Sequence, residues 1–432
     1  MNPFHEKPCK LENCLMDWKA LSPTPYDKHA VDPYTRCRVI LMNGTEFENV
    51  WFSHQFSRNC VSGDVRRALA LLRRSEQQQQ KLLAALKPDD ETMLEHTIGY
   101  EQLAVDLTAH LAKREKDEHV RDALNFALLE DFDHLYRYAD FLDMEDGVHA
   151  ERLVGGYTEI MPARPTIAHH RHPFDSNKRP IDSKEAALET KLCVGIITAA
   201  EQQTMNYYMN VCATYPNTPG RALYREIGMI EEQHVSQYGS LMDVTCTWYE
   251  NLLMHQYIEA YLYWSCMETE VCPQMKKVWE QLFAMEISHL HEAAMLLQKE
   301  EGKQWQQVVG EGDFPAPLTL ESNIAHVRQV LADTVQLTAS RESYAPVEQM
   351  KHGVDFFRYQ DIVNRDAENV ASHTVIDRRI RMYGQDYRYQ QGEHPIPTLC
   401  DRTADNISVG RVPGADKMAP PTQSGTTNFA RT

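Results

Sequence analysis

A carboxylate and an imidazole three residues apart form the most promising chemical motif in this chain of 432 residues. Glu231 and His234 would project from one face of a helix, because a helix brings positions i and i+3 onto the same side. The rest of that face is largely apolar and includes Ile227, Val235 and Leu241. A carboxylate on such a face is costly unless something pairs with it, and a bound metal ion is one such partner. The motif therefore raises the question of whether the chain supplies further ligands.

The same arrangement, a lone Glu followed along the chain by an acid-x-x-His pair, occurs three times. The three sets of candidate ligands are Glu101, Asp131 and His134; Glu201, Glu231 and His234; and Glu259, Glu286 and His289. The lone Glu precedes the paired acid by 30, 30 and 27 residues. Because each helical residue rises about 1.5 Å, a hairpin that climbs about fifteen residues and descends as many brings both parts of a set to one level. Carboxylates and imidazoles that project inward from facing helices are the ligands of a two-metal site.

The acid-x-x-His motif by itself carries little weight. With 62 acids and 19 His in the chain, chance would give about 2.7 matches, and the chain has four. The fourth, Asp146-x-x-His149, lies in a connection between hairpins and represents the chance level. The matching spacing and the apolar surroundings distinguish the other three sets. The alternative to a metal site is a helical core in which the acids and the His side chains pair only with one another.

The hydrophobic periodicity predicts a mainly α-helical chain in which each candidate set lies on one helical hairpin. The predicted hairpins cover about residues 91–144, 183–243 and 248–299, with turns near 113–118, 215–220 and 272–273. An earlier helix is predicted over residues 64–86. A long connection, residues 147–182, separates the first two hairpins, whereas only the turn at 243–247 separates the second from the third.

The two flanks are expected to be less regular. In the N-terminal arm, residues 1–63, Asn43-Gly44 between apolar-rich runs predicts a small β-hairpin over residues 37–52. The helical domain is expected to cover residues 64–300. In the remaining part, residues 301–432, the pattern predicts helices over about 320–337 and 361–382. The last fifty residues are rich in proline and indicate an extended C-terminal arm, which either wraps a partner subunit or is disordered.

Composition excludes several classes of partner. Acidic residues outnumber basic ones by 62 to 44, which gives a formal net charge of -18 and argues against nucleic acid or an anionic membrane as a partner. No apolar run is long enough to span a bilayer, and the first residues lack the apolar core of a signal peptide, so a cytoplasmic protein is expected. The ten Cys residues include no C-x-x-C pair, which argues against a zinc ribbon or a thioredoxin motif.

The order of these motifs resembles that of the ferritin-like di-iron carboxylate superfamily. A lone Glu, an acid-x-x-His pair, a long connection, a second lone Glu and Glu-x-x-His follow one another over residues 101–234, and over about 101–300 if the third hairpin is included. Larger members such as the soluble methane monooxygenase hydroxylase and the ribonucleotide reductase small subunit share that order. The resemblance implies a ferritin-like four-helix bundle that holds two metal ions, most simply Fe with Mn as an alternative. Asp131, the additional third hairpin and both flanks depart from the pattern.

The connection lengths favour the first and second hairpins as the two halves of the site. In an antiparallel bundle the two acid-x-x-His helices are neighbours only if the chain crosses to the far end between the hairpins. The long connection, residues 147–182, can make that crossover, whereas the turn at 243–247 cannot. The favoured metal ligands are therefore Glu101, Asp131, His134, Glu201, Glu231 and His234. Glu259, Glu286 and His289 are the alternative second half, and Glu130 is an alternative to Asp131.

Three functions are compatible with these patterns. The resemblance and the bulky flanks favour an oxidoreductase, an oxidase or oxygenase that activates O2 or peroxide on a small substrate and forms a homodimer or larger homo-oligomer. The second is iron oxidation, storage or peroxide defence in the manner of ferritin and rubrerythrin, and the third is a metal-free helical scaffold. The sequence also offers candidates for a redox-active tyrosine and for a further metal site. These are Tyr138, Tyr207, Tyr208 and Tyr238, and the cluster His169, His170 and His172.

Overall fold

The computed structural model of the chain describes residues 1–351, 353–365, 374, 378, 381, 382 and 394–399. Over these residues the chain is mainly α-helical, with a single small antiparallel sheet. The helices are α1 (Pro33–Asn59), α2 (Gly63–Ala85), α3 (Met93–Arg114), α4 (Glu118–Asp146), α5 (Ala150–Leu153), α6 (Leu188–Thr214), α7 (Thr218–Ser240), α8 (Trp248–Thr269), α9 (Pro273–Glu301), α10 (Gln306–Val309), α11 (Ile324–Thr334) and α12 (Asp355–Val363). The strands are β1 (Leu337–Ser340) and β2 (Ser343–Pro346). None of the described helices is both long enough and apolar enough to cross a lipid bilayer.

The chain forms two compact units. Unit 1 consists of residues 1–92, 180–203 and 242–320, and contains α1, α2, α8, α9, α10 and most of α6. Unit 2 consists of residues 93–179, 204–241 and the described residues from 321 onward. It contains α3, α4, α5, α7, α11, α12, both strands and the end of α6. Both units therefore draw on segments that are distant from one another along the chain.

The predicted helix pairs are present in the structure, as α3 with α4, α6 with α7 and α8 with α9. Polar side chains at the helix starts explain why the turns lie where they do. The carboxylate of Asp117 accepts hydrogen bonds from the first backbone N–H groups of α4, and the side chain of Asn217 does the same for α7. At the start of α8, Thr247 and Glu250 form a reciprocal capping box. Each of these caps is a local signal that can be read from the sequence.

The predicted N-terminal β-hairpin is wrong, because residues 37–52 lie inside α1. Asp32 caps this helix by accepting a hydrogen bond from the N–H of Tyr34, and Pro33 occupies its first position, which suits a residue without an N–H. Gly44 serves close packing and not a turn. A Cβ at this position would lie 2.7 Å from the Cβ of Gln203 and 3.2 Å from the carbonyl oxygen of Ala199 on α6. Glycine is therefore needed for α1 and α6 to approach so closely.

The C-terminal part of the chain differs from its predicted pattern in one described segment. The helix predicted over about 320–337 ends at Thr334, and β1 and β2 follow it as an antiparallel pair with Leu337 opposite Pro346. Arg341 lies in the turn with a φ of 53°. The helix predicted over 361–382 and the extended C-terminal arm fall mostly outside the described residues.

The packing of α1 against α6 can be tested with two identical substitutions. We expect Gly44→Ala to destabilise the protein by about 1–3 kcal/mol, because the added Cβ overlaps Gln203. Gly63→Ala, at the start of α2 in the same unit, is the control, since its Cβ would meet only the end of the Arg67 side chain, at 3.8 Å. The measurement is the melting temperature of each variant. Equal melting temperatures for the two variants would contradict the close packing.

Candidate metal centre

Five of the six favoured ligands lie in unit 2 and form two groups of buried donor atoms. One group consists of a carboxylate oxygen from each of Asp131 and Glu231 and a ring nitrogen of His234, and the other consists of atoms from Glu101, His134 and Glu231. Within each group the atoms lie within 4.8 Å of one another, and each of these side chains is at most 1% exposed. Glu231 belongs to both groups, and each group could hold a metal ion.

The helices place these side chains through their i,i+3 spacing. Asp131 and His134 lie on one face of α4, and Glu231 and His234 lie on one face of α7. Glu101 is contributed by α3. The sixth candidate, Glu201, stands on the part of α6 that belongs to unit 1. The acid and the imidazole of each pair are thereby directed into the same buried interior.

Glu231 lies between the two imidazoles. Its Oε1 is 2.8 Å from Nδ1 of His134, and its Oε2 is 3.2 Å from Nδ1 of His234. Nδ1 of His234 also lies 3.3 Å from Oδ1 of Asp131. Burial opposes ionisation of Glu231, but the two imidazoles outweigh it and lower the pKa of this carboxyl to about 2. Glu231 is therefore ionised at neutral pH, as a metal ligand must be.

His134 has an unusual environment for a buried imidazole. Its side chain is fully buried, and within the described part of the chain neither ring nitrogen has a hydrogen-bond partner of acceptable geometry. Buried polar atoms without such partners are costly and are rare in proteins. A metal ion in contact with Nδ1 would satisfy this nitrogen and would explain its approach to Glu231. The donor set around His134 therefore fits a metal ion.

A carboxylate and a guanidinium hold the other imidazole in place. Nε2 of His234 lies 2.8 Å from Oε2 of Glu130, and Arg171 donates hydrogen bonds to both oxygens of Glu130 at 2.7 and 2.8 Å. Burial opposes ionisation of Glu130, but the charge of Arg171 and the hydrogen bond from His234 hold its pKa well below the usual range. A carboxylate that accepts the second N–H of a ligand imidazole sets its tautomer and orientation, here leaving Nδ1 for a metal ion. The structure thus places Asp131 in the ligand group and Glu130 behind His234.

The long connection carries Arg171 into the interior of unit 2. The backbone N–H of Arg171 donates to Oε1 of Gln233 at 2.8 Å, and Nε2 of Gln233 donates to the carbonyl oxygen of His169 at 3.3 Å. His169 is buried, with its ring centroid 6.0 Å from that of His134. His170 and His172 are half-buried, and neither ligand group includes any of the three. Of this His cluster, only His169 lies beside the candidate ligands.

Three of the four candidate tyrosines surround the site. Tyr208 donates its hydroxyl to Oε1 of Glu101, and its ring centroid lies 5.1 Å from that of Tyr138. The hydroxyl of Tyr138 is buried and has no hydrogen-bond partner among the described residues. The ring of Tyr238 has its centroid 6.3 Å from that of His234. Tyr207 instead donates its hydroxyl to the backbone carbonyl oxygen of Met93 at 3.1 Å, and this hydrogen bond is exposed.

The third hairpin belongs to unit 1, and neither ligand group includes its candidate residues. Nδ1 of His289 lies 3.0 Å from Oε1 of Glu286, and its Nε2 lies 3.0 Å from the hydroxyl of Ser75 on α2. Oε1 of Glu286 also accepts a hydrogen bond of 2.7 Å from Nε2 of Gln79. Glu259 accepts from Gln256 at 3.1 Å. These acids and the imidazole thus have hydrogen-bonding partners on α2 and α8.

Sequence reasoning missed the supporting role of the pair Glu130 and Arg171. Both adjacent acids have helical spacing to His134, so the sequence favours Asp131 as a ligand and offers Glu130 only as an alternative to it. Arg171 gave no signal, since it lies between His170 and His172 in an irregular connection.

No family model, curated protein or solved structure matches this chain. The site is therefore defined by its geometry, as a buried cluster of carboxylates and imidazoles that could hold a metal ion.

The buried ion pair behind His234 can be tested by unfolding measurements. We expect Arg171→Met to destabilise unit 2 by about 3–5 kcal/mol, because it leaves the Glu130 carboxylate buried without its cation. Adding Glu130→Gln should restore part of this loss, since the amide carries no charge. Arg328→Met is the control, because Arg328 is 44% exposed in its ion pair with Glu159 and should cost at most about 1 kcal/mol. Equal losses in urea unfolding for the two single variants would contradict this account.

Proposed function

We propose that this protein is a di-metal carboxylate oxidoreductase, with iron as the most suitable metal, that activates O2 or peroxide on a small substrate. The observation that carries the proposal is the pair of overlapping ligand groups that share Glu231. Together these groups supply three buried carboxylates and two buried imidazoles, and in this proposal Glu201 is the fourth carboxylate, so that four negative charges balance two divalent ions. This is the ligand composition of ferritin-like di-iron and di-manganese proteins, with Asp131 in place of one Glu. In this proposal α3, α4, α6 and α7 form a ferritin-like four-helix bundle.

Bound iron would supply the redox chemistry, and the residues of the chain would position it and control protons. Glu130 and Arg171 fix the ring of His234, so that Nδ1 is directed toward Glu231 and Asp131. Tyr208 orients Glu101 through its hydroxyl. The buried hydroxyl of Tyr138 is close to Tyr208 and is available to hold a proton for a bound molecule. The surrounding buried side chains exclude water from these polar groups.

The orphaned nitrogens of His134 are the observation that argues against a metal-free scaffold. In a scaffold of self-paired acids and imidazoles, each buried polar atom should have a hydrogen-bond partner. Glu130 meets this expectation, whereas His134 does not, over the residues that the structure describes. The third hairpin, in which His289 has a partner on each ring nitrogen, shows what a paired imidazole looks like in the same chain.

The metal content of purified variants tests the site. After anaerobic loading with Fe2+, we expect Glu231→Gln and His234→Ala each to lose about two irons per chain relative to the unsubstituted protein, because Glu231 is shared and His234 is a ligand. Glu232→Gln is the control, since Glu232 is the exposed neighbour on the same helix and should leave the iron content unchanged. Elemental analysis gives the iron content. Unchanged iron in Glu231→Gln would overturn the proposal.

The consumption of O2 by the ferrous protein distinguishes an oxygenase from an iron-storage protein. Without substrate, we expect O2 uptake to stop once the bound iron is oxidised, because the two ions stay in a buried site and are not replaced. Sustained uptake on repeated addition of Fe2+, with oxidised iron accumulating in the protein, would instead show iron oxidation and storage. An oxygen electrode and the ferric absorbance measure the two quantities. Glu231→Gln serves as the control for oxidation of free Fe2+.

A further inference from the structure

Unit 1 contains a second buried cluster of carboxylates, to which α1, α2, α8 and α9 each contribute. Its members are Glu46, Asn49, Glu76, Gln79, Gln256, Glu259, Glu286 and His289, each at most 1% exposed. The cluster includes four carboxylates, three amides and one imidazole. Within unit 1, the sequence pattern identified candidate ligands only on the third hairpin, α8 and α9. The structure shows that α1 and α2 contribute to the same cluster.

The helices α1 and α2 repeat the spacing of the other hairpins. Glu46 on α1 is followed 30 residues later by Glu76-x-x-Gln79 on α2, so that Gln79 takes the position that His134, His234 and His289 take elsewhere. The acid-x-x-His pattern does not include this hairpin, because Gln79 stands in place of the His. The wrong prediction of a β-hairpin over residues 37–52 also kept Glu46 from being recognised as a candidate ligand. Unit 1 therefore has two hairpins with the spacing of the proposed metal ligands.

Each carboxylate of this cluster has one hydrogen-bonded oxygen and one oxygen without a partner. Oε1 of Glu46 accepts from the hydroxyl of Tyr263 at 2.5 Å, and Oε1 of Glu76 accepts from Gln256 at 2.9 Å. Glu259 and Glu286 each likewise accept through one oxygen. The second oxygens of all four carboxylates are buried and have no partner among the described residues. Ligand carboxylates show this division, with one oxygen on the metal and the other held by the protein.

The three amides show the same imbalance. Asn49, Gln79 and Gln256 donate their amino groups to carboxylates, whereas their carbonyl oxygens are buried and have no partner within the described chain. The nitrogen and oxygen of an amide exchange places on a half-turn of the group. After that turn, the carbonyl oxygens would face the carboxylates, which is favourable only if a cation lies between them. Seven buried acceptor oxygens thus lack a donor, and a cation could satisfy several at once.

The charge of the cluster also requires a positive partner. The nearest cationic group in the cluster is the imidazole of His289, which lies 3.0 Å from Oε1 of Glu286 and can offset one of the four carboxylates. Protons or a divalent cation must therefore neutralise the remaining carboxylates.

A cavity connects this cluster to the outside of unit 1. It has a volume of about 690 Å³ including its open mouth, and both Asn49 and Glu259 lie in its wall. Glu48 and Asp243 line the same cavity, and acidic groups there raise the local concentration of cations. Lys191 also lines it, with its ammonium group bound to the carbonyl oxygen of Val308 at 2.9 Å. Asn49 and Glu259 are therefore the members of the cluster that border this cavity.

We propose that unit 1 holds a second metal site, in which Glu46, Glu76, Glu259 and Glu286 bind an oxygen-preferring divalent cation of the Mn2+ type, while His289 holds Glu286 in place. The preference follows from the donors, because carboxylate and amide oxygens suit Mn2+, Mg2+ and Ca2+, whereas additional imidazoles suit iron. Gln79 replaces the second imidazole and makes this site richer in oxygen than the one around Glu231. The proposal does not depend on the function proposed above.

The test uses the full chain with the first site removed by Glu231→Gln and His234→Ala. In this background we expect Mn2+ titration, followed by the loss of the free Mn2+ signal in electron paramagnetic resonance, to show at least one ion bound per chain. Adding Glu76→Gln and Glu259→Gln should reduce Mn2+ affinity by at least about 100-fold, because two ligand charges are removed. Glu280→Gln, an exposed acid on α9 outside both the cavity and the cluster, is the control and should retain binding.

A second measurement, of the melting temperature, tests the proposal even if the variant with Glu76→Gln and Glu259→Gln fails to fold. Binding to the native state raises the melting temperature, so Mn2+ should stabilise the background variant relative to the same protein in a chelator. No bound Mn2+ and no change in melting temperature in that background would overturn the proposal and leave the cluster held by protons and amides. If Glu231→Gln and His234→Ala left the total metal content unchanged, while Glu76→Gln and Glu259→Gln removed it, this proposal would stand and the function proposed above would fail.

Discussion

The structure depends on one constraint, which is that a carboxylate taken out of water needs a positive or hydrogen-donating partner. The helices of this chain bury an unusual number of acids, and each of them must be compensated inside a largely apolar core. In unit 2 the compensation comes from imidazoles and from Arg171, and in unit 1 it comes from amides, a tyrosine hydroxyl and His289. The positions of these partners decide which acids are available to a metal ion.

The partners divide the acids of unit 2 into two kinds. Glu130 has both oxygens bound by Arg171 and one shared with His234, so it is committed to the protein. Asp131 and Glu231 face the ring nitrogens across distances of 2.8 to 3.3 Å and belong to the ligand groups. Arg171, in an irregular connection, thereby orients the candidate ligand His234 on α7. For the function proposed above, rigid ligands would keep their geometry when a bound metal changed its oxidation state.

Local signals in the sequence were sufficient for the helix pairs and for the set of candidate ligands. Periodicity, caps and breaks predicted α3 with α4, α6 with α7 and α8 with α9 to within a few residues. The same signals failed at Asn43-Gly44, because the reason for that glycine is the approach of Gln203 and Ala199, which are more than 150 residues away. Glu46 and Gln79 were missed because residues 37–52 were predicted to form a β-hairpin and because Gln79 stands where the acid-x-x-His pattern requires His.

The sequence by itself determined that acids and imidazoles recur at matched heights on helical hairpins, because helical rise and i,i+3 spacing are properties of the local backbone. Only the tertiary structure decided that the third hairpin joins α1 and α2 in unit 1. It also decided that Asp131 faces the ligand group while Glu130 faces Arg171. Adjacent helical residues point about 100° apart, and the rotation of a helix about its axis is set by the surfaces packed against it.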